Sequence, residues 1–332
     1  MMADSTGRGD LSQDRRTKWL AAMAVLCIAI LWGVSFPLVK ATVGKVSPSP
    51  LVGWRFTVAT FALFALRPRV LRELDRQTVC RGAVLGAFLG IGFVVCTIGM
   101  QTTSVLISAF VVGTTVVFAP LIAWTWLGRR PTTRAAAAVL LALVGLAMIT
   151  VRSFAVGPGT LFILAAAILW AIHLVALERW SRMGRLYGLT LVQLATSAVV
   201  ALGCQALRGD WQALWPPMSG SAVAGIVFLG AAATGGAFVA LSWAQTRLET
   251  TTTAVILTLE PLIGAGLGVA LGDPCTALTV AGAVAVLAAG YLVAGPIFRT
   301  ARLLPGAILF QLQHLSHEQP DLPLSRAEDQ LL

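Results

Sequence analysis

The stretch VLISAFVVGTTVVFAPLIAWTWL, residues 105–127, carries no charged side chain. As an α-helix it is about 34 Å long at 1.5 Å per residue. That is enough to cross the roughly 30 Å hydrocarbon core of a bilayer. Strands are excluded, because its apolar residues run continuously rather than at period two. Lipid leaves a lone backbone no other partner than its own helix.

Nine further runs of this kind lie on either side, at about 19–39, 50–66, 82–99, 134–151, 158–177, 187–207, 221–243, 251–272 and 275–295. The chain is 57% hydrophobic and only 11% charged, with mean hydropathy +0.84. Soluble chains carry about 25% charged residues, so part of this molecule's solvent is lipid. The reading is an all-α integral membrane protein with ten transmembrane helices.

The net charge of +10 follows the same logic. Its basic residues are scattered between apolar runs rather than clustered, so no nucleic acid partner is expected. With the N-terminus inside, nineteen Lys and Arg fall in inner segments and four in outer ones, Lys40, Lys45, Arg152 and Arg208. The twenty-fourth, Arg55, lies within the second run. This bias places both termini in the cytoplasm of a bacterial inner (plasma) membrane. Residues 1–18 form a polar cytoplasmic segment, and the run that follows is too long for a signal peptide, so it is an uncleaved first helix. Residues 297–332 form a cytoplasmic tail with an apolar patch at Ile308–Leu312. No two of the five cysteines have CxxC spacing, and no metal or other cofactor is expected.

Short matches recur along the chain. Ala29-Ile30-Leu31-Trp32 returns as Ala167-Ile168-Leu169-Trp170, Gln101-Thr102 as Gln245-Thr246, and Leu127-Gly128 as Leu271-Gly272. The fourth and ninth runs each hold a proline, Pro120 and Pro261, displaced by three residues between copies. Two five-helix repeats, 19–151 and 158–296, are therefore expected. Five is odd, so the copies must be inverted, which is the plan of many secondary transporters with a site near the midplane.

Together these residues are familiar. Trp32-Gly33-Val34-Ser35-Phe36-Pro37-Leu38-Val39-Lys40, Trp54-Arg55-Phe56, Leu259-Glu260-Pro261-Leu262-Ile263, Leu271-Gly272-Asp273-Pro274 and the late Gly282 and Gly290 resemble EamA-type permeases of the drug/metabolite transporter superfamily. The resemblance covers about residues 19–296. It implies ten helices in two repeats, a central cavity, and export or exchange of amino acids or related metabolites. The chain departs from the family where Arg129 follows the Leu-Gly that closes the fourth run; an acidic residue is common there.

Several side chains are candidates for the transport chemistry. Glu260 lies about nine residues into the ninth run. A carboxylate at that depth costs about 2.5–3.5 kcal/mol, so it should face the bundle interior. It serves either as a proton or ammonium site or to satisfy backbone groups freed by Pro261. Arg55 and Lys40 form either an electropositive entrance for carboxylates or interfacial anchors. His173 is a proton relay or a helix-to-helix hydrogen bond. Trp32 and Trp170, at equivalent positions, wall a cavity or fill the core. Gln101 and Gln245 bind substrate or cap helices. Gly82, Gly86 and Gly90 share one face, as do Gly264, Gly268 and Gly272. Small residues four apart allow close helix packing, with a homodimer as the alternative use.

The function classes follow. An intramembrane enzyme would need a HExxH pair, a GxSxG turn or paired aspartates, and the sequence has none. The leading expectation is a secondary transporter that exports small polar metabolites by alternating access. A membrane subunit or scaffold that needs a partner is the alternative.

Overall fold

In a computed structural model the described residues are 6–128, 133–151, 157–181, 186–215, 218–245, 247–248, 256–257 and 259–292. The expected tail, 297–332, lies outside them. Helices form α1 (Thr6–Val43), α2 (Pro48–Leu66), α3 (Arg76–Met100), α4 (Val105–Gly113, continued by Thr115–Leu127), α5 (Thr133–Val151), α6 (Pro158–Ser181) and α7 (Leu186–Ala206). Next come α8 (Gly220–Val227, a π-helical stretch Phe228–Gly236, then Ala237–Gln245), α9 (Leu259–Ala270) and α10 (Ala277–Leu292). Among the described residues, seven of these are long and apolar enough to cross a membrane. Three shorter apolar helices, Ala136–Gly145, Leu259–Ala270 and Ala277–Leu292, accompany them.

Local chemistry sets the boundaries. Asp75 accepts from the amide of Thr78 at 2.8 Å and starts α3. Ser104 does the same for Ile107 at the start of α4, and Gly128, at φ 68°, ends that helix. Such caps satisfy amides the first helical turn leaves open. Hydroxyls inside the helices bond the carbonyl four residues back, as Thr42, Thr57, Thr97, Ser108 and Thr190 do. In lipid this keeps a polar side chain satisfied without a second helix.

The packing has a paired pattern. Helix α3 packs on α6 and α7, and α8 packs on α1 and α2. The α4–α6 contact is matched by α9–α1, while the α2–α7 and α4–α9 contacts each map onto themselves. These relations exchange under α1 with α6, α2 with α7, α3 with α8, and α4 with α9. Glycines permit the closest approaches. A Cβ on Gly86 would meet the Gln193 carbonyl and the Thr196 side chain; one on Gly230 would meet the Arg55 carbonyl and the Val58 side chain. The offset of 138 residues that relates Trp32 to Trp170 also relates Arg55 to Gln193 and Val58 to Thr196. Gly82 and Gly90 continue the α3 face against Val192 and Ser197 of α7. Gly264 lies against Phe36 and Ala109, and Gly268 against Leu106. Gly272 differs from these two: it sits beyond the end of α9 at φ 99°, with open space where a Cβ would be. It turns the chain and packs against no helix.

Candidate functional site

Arg55 sits midway along α2 and is only 7% exposed. Its Nε donates to Thr234 Oγ1 at 2.9 Å, and its guanidinium lies 4.7 Å from the centre of the Phe93 ring. A buried guanidinium is costly unless its surroundings compensate, and an aromatic face does so in part. Thr234 is available because the π-helical stretch widens the turn. Its hydroxyl reaches the Leu229 carbonyl five residues back, at 2.8 Å, while accepting from Arg55. π-Helical turns are frequent at functional sites. Among the described residues, Arg55 makes no other hydrogen bond.

The two equivalent tryptophans lie on either side of this group. Trp32 Nε1 donates to the carbonyl of Ala233, next to Thr234, at 2.8 Å. Trp170 packs against Phe93 with ring centres 4.7 Å apart and the planes tilted by 56°. Its Nε1 is buried, lies where a Cβ on Gly92 would be, and has no hydrogen-bond partner. Glu260 opens the described part of α9, partly buried, and its charge interacts with that of Arg55 without a contact ion pair. The backbone of Glu260 passes close to Gly33 in α1. The ring of Pro261 faces Gly113, beside Thr114, where α4 is interrupted. Pro120 lies farther along, inside the second part of α4.

Lys40 is elsewhere. Its ammonium donates to the carbonyls of Met100, Gln101 and Thr103 at 2.6, 3.1 and 2.8 Å. Three donors meet three acceptors at the C-terminal end of α3, where the helix dipole also favours a cation. The structure therefore does not place Lys40 beside Arg55. Gln101 contributes a backbone carbonyl to this cluster, and its side chain is exposed. The side chain of Gln245 lies outside the described residues. On the same end of the bundle, Asp273 Oδ2 accepts the amide of Leu106 at 2.8 Å.

His173 is 4% exposed and pairs with Gln193 Oε1 through Nε2 at 2.9 Å. Gln193 is fully buried, and its amide nitrogen has no partner. Ser197, one turn on, donates to carbonyls in α3 and α7. Reasoning from the sequence missed Thr234, Phe93, Gln193 and Asp273 as site residues. The 138-residue offset already pairs Arg55 with Gln193 and carried enough signal to find it. A π-helical stretch has no such signature.

A model of the EamA-like transporter family matches residues 19–151 and again 157–295. The chain belongs to the EamA-like transporter family. EamA-like relatives include an uncharacterized transporter of Archaeoglobus fulgidus, 28% identical over 163 residues. That match covers 49% of this chain and 50% of the relative, so the chain spans about half the length of that protein. The uncharacterized transporter YyaM of Bacillus subtilis is 24% identical over 300 residues, 83% of this chain and 93% of YyaM. A crystal structure superposes at TM-score 0.56 and 18% identity, covering 82% of this chain and 96% of that one, and shares the fold. The protein is thus a multi-pass membrane protein of a transporter family.

Proposed function

We propose that the protein is a secondary transporter that exports small polar metabolites by alternating access. In this reading all ten apolar helices cross the membrane, in two inverted repeats at 19–151 and 158–296, with both termini in the cytoplasm. The exchange of packing partners between α1–α4 and α6–α9 supports the repeats, as does the double match of the family model. The observation that carries the function is Arg55, a buried charge held by Thr234 and Phe93 between Trp32 and Trp170. A buried charge within a membrane bundle is expensive and marks an ion or substrate route. Glu260, across the interior, is the proton or ammonium partner in this reading. Pro261 opposite the break at Thr114 gives α4 and α9 a place to bend.

The test is transport by the purified protein in liposomes. A labelled mixture of amino acids, amines and nucleobases is presented with and without a pH gradient. Gradient-driven movement of one class is expected, and Glu260→Gln should abolish the gradient's effect at normal expression. Movement only after addition of a partner protein would replace this reading with that of a subunit.

A further inference from the structure

The side-chain atoms left unsatisfied in this core have one chemistry. Among the described residues, the buried polar side-chain atoms without partners are Trp170 Nε1 and Gln193 Nε2. Arg55 adds the terminal amino groups of its guanidinium, which donate to no described residue. All three are donors. Gln193 is 0% exposed and Arg55 7%, and Trp170 reaches Arg55 through Phe93, which touches both. The amide of Gln193 is oriented by His173, so its nitrogen is the end left over. Buried donors are costly to leave unpaired. The two buried nitrogens on α6 and α7 and the amino groups of Arg55 on α2 call for acceptors, and a guanidinium calls for a planar pair of anionic oxygens.

We infer that the transported substrate is an organic anion whose carboxylate is gripped by the terminal amino groups of Arg55, with the Trp170 indole and Gln193 amide available to further oxygens. The inference rests on the transporter reading for the word "transported", and on the donor geometry alone for the binding. A carboxylate is assigned to this end of the interior because the unpaired groups of Arg55, Trp170 and Gln193 are all donors; the acceptor of the interior, the Glu260 carboxylate, meets Arg55 only through its charge. Thr234 is a positioning residue: it holds Nε and so fixes the plane of the guanidinium. An ammonium group on the same ligand is neither required nor excluded by the donors.

The test separates binding from movement. The protein in nanodiscs is titrated with compounds of one carbon skeleton, namely leucine, leucinamide, 4-methylpentanoate and isopentylamine, and tryptophan fluorescence is read. The two carboxylates should quench and the amide and amine should not. Arg55→Gln should weaken carboxylate binding by about ten- to a hundredfold, the range for a hydrogen bond to a charged group. Arg55→Lys keeps the charge but loses the fork, so it should fall between, and it serves if Arg55→Gln does not fold. Thr234→Val should weaken carboxylate binding less than Arg55→Gln while leaving the protein folded. Equal binding of the amine and the carboxylate, or carboxylate binding unchanged in both Arg55 variants, would overturn the inference. Carboxylate binding in nanodiscs with no flux in liposomes would uphold the anion site and count against the transporter reading instead.

Discussion

The carboxylate of Asp273 accepts the backbone N–H of Leu106 at 2.8 Å, so the corner between α9 and α10 caps the start of α4. Lys40, from α1, closes the adjoining end of α3 with its three carbonyl contacts. The turn between α3 and α4 is thereby held from both sides, by charges of opposite sign that also interact with each other. Gly159, at the start of α6, packs against the same turn through Gly99, Thr102 and Thr103.

Removing either hold should loosen this end. Lys40→Met leaves carbonyls without their cation and should cost about 1.5–3 kcal/mol, the range for a hydrogen bond to a charged group. Asp273→Ala removes a helix cap and should cost about 1 kcal/mol. Both are read as a lower melting temperature in detergent, with Lys40→Met the more affected. An unchanged melting temperature for Lys40→Met would show that the ammonium contacts do not hold the turn.

The two equivalent tryptophans should respond differently to the same change. Trp32→Phe deletes the hydrogen bond to Ala233 and should destabilise by about 1 kcal/mol. Trp170→Phe deletes an N–H that has no protein partner, so stability should hold. Its cost should instead appear in substrate affinity. Equal losses of stability in the two variants would contradict this assignment of Trp170.

Glycines give a third contrast. Gly86→Val and Gly230→Val each push a side chain into the facing backbone, at Gln193 and at Arg55. Each should cost about 1–3 kcal/mol or more through overpacking. Gly203, in α7, has open space beside it. Gly203→Ala should therefore stabilise by up to about 1 kcal/mol through helix propensity. Thermal unfolding of the three variants checks the order, and a Gly86→Val protein as stable as the parent would disprove the close α3–α7 approach.

Much of the architecture was legible in the amino-acid order. Uncharged runs such as 105–127 carry a length signal that survives any error in their ends, and α4 spans that run with one interruption. The interruption itself was not legible. It falls at Thr114, whereas Pro120 is the residue that advertises a break. At the break Thr114 and Thr115 turn their hydroxyls onto the carbonyls of Val111 and Val112, three residues back, and Gly113 lies against the ring of Pro261, a tertiary contact that the local sequence does not contain. The site divided in the same manner. Arg55 and Glu260 stand out because charge is rare in these runs, and Trp32 and Trp170 because the same four residues recur around them. Lys40 stood out equally, but its three carbonyl partners come from a distant turn. Thr234 is one threonine among many, and only the wider π-helical turn brings it to Arg55.

The most direct measurement of the central claim is exchange across liposomes holding the purified protein. Labelled substrate is loaded inside, and its release is followed with and without the same unlabelled compound outside. A single site that opens to each face in turn returns faster when loaded, so outside substrate should accelerate release, and Arg55→Gln should abolish the acceleration. Release that is absent, or indifferent to substrate on the far side, would contradict an alternating carrier built around Arg55.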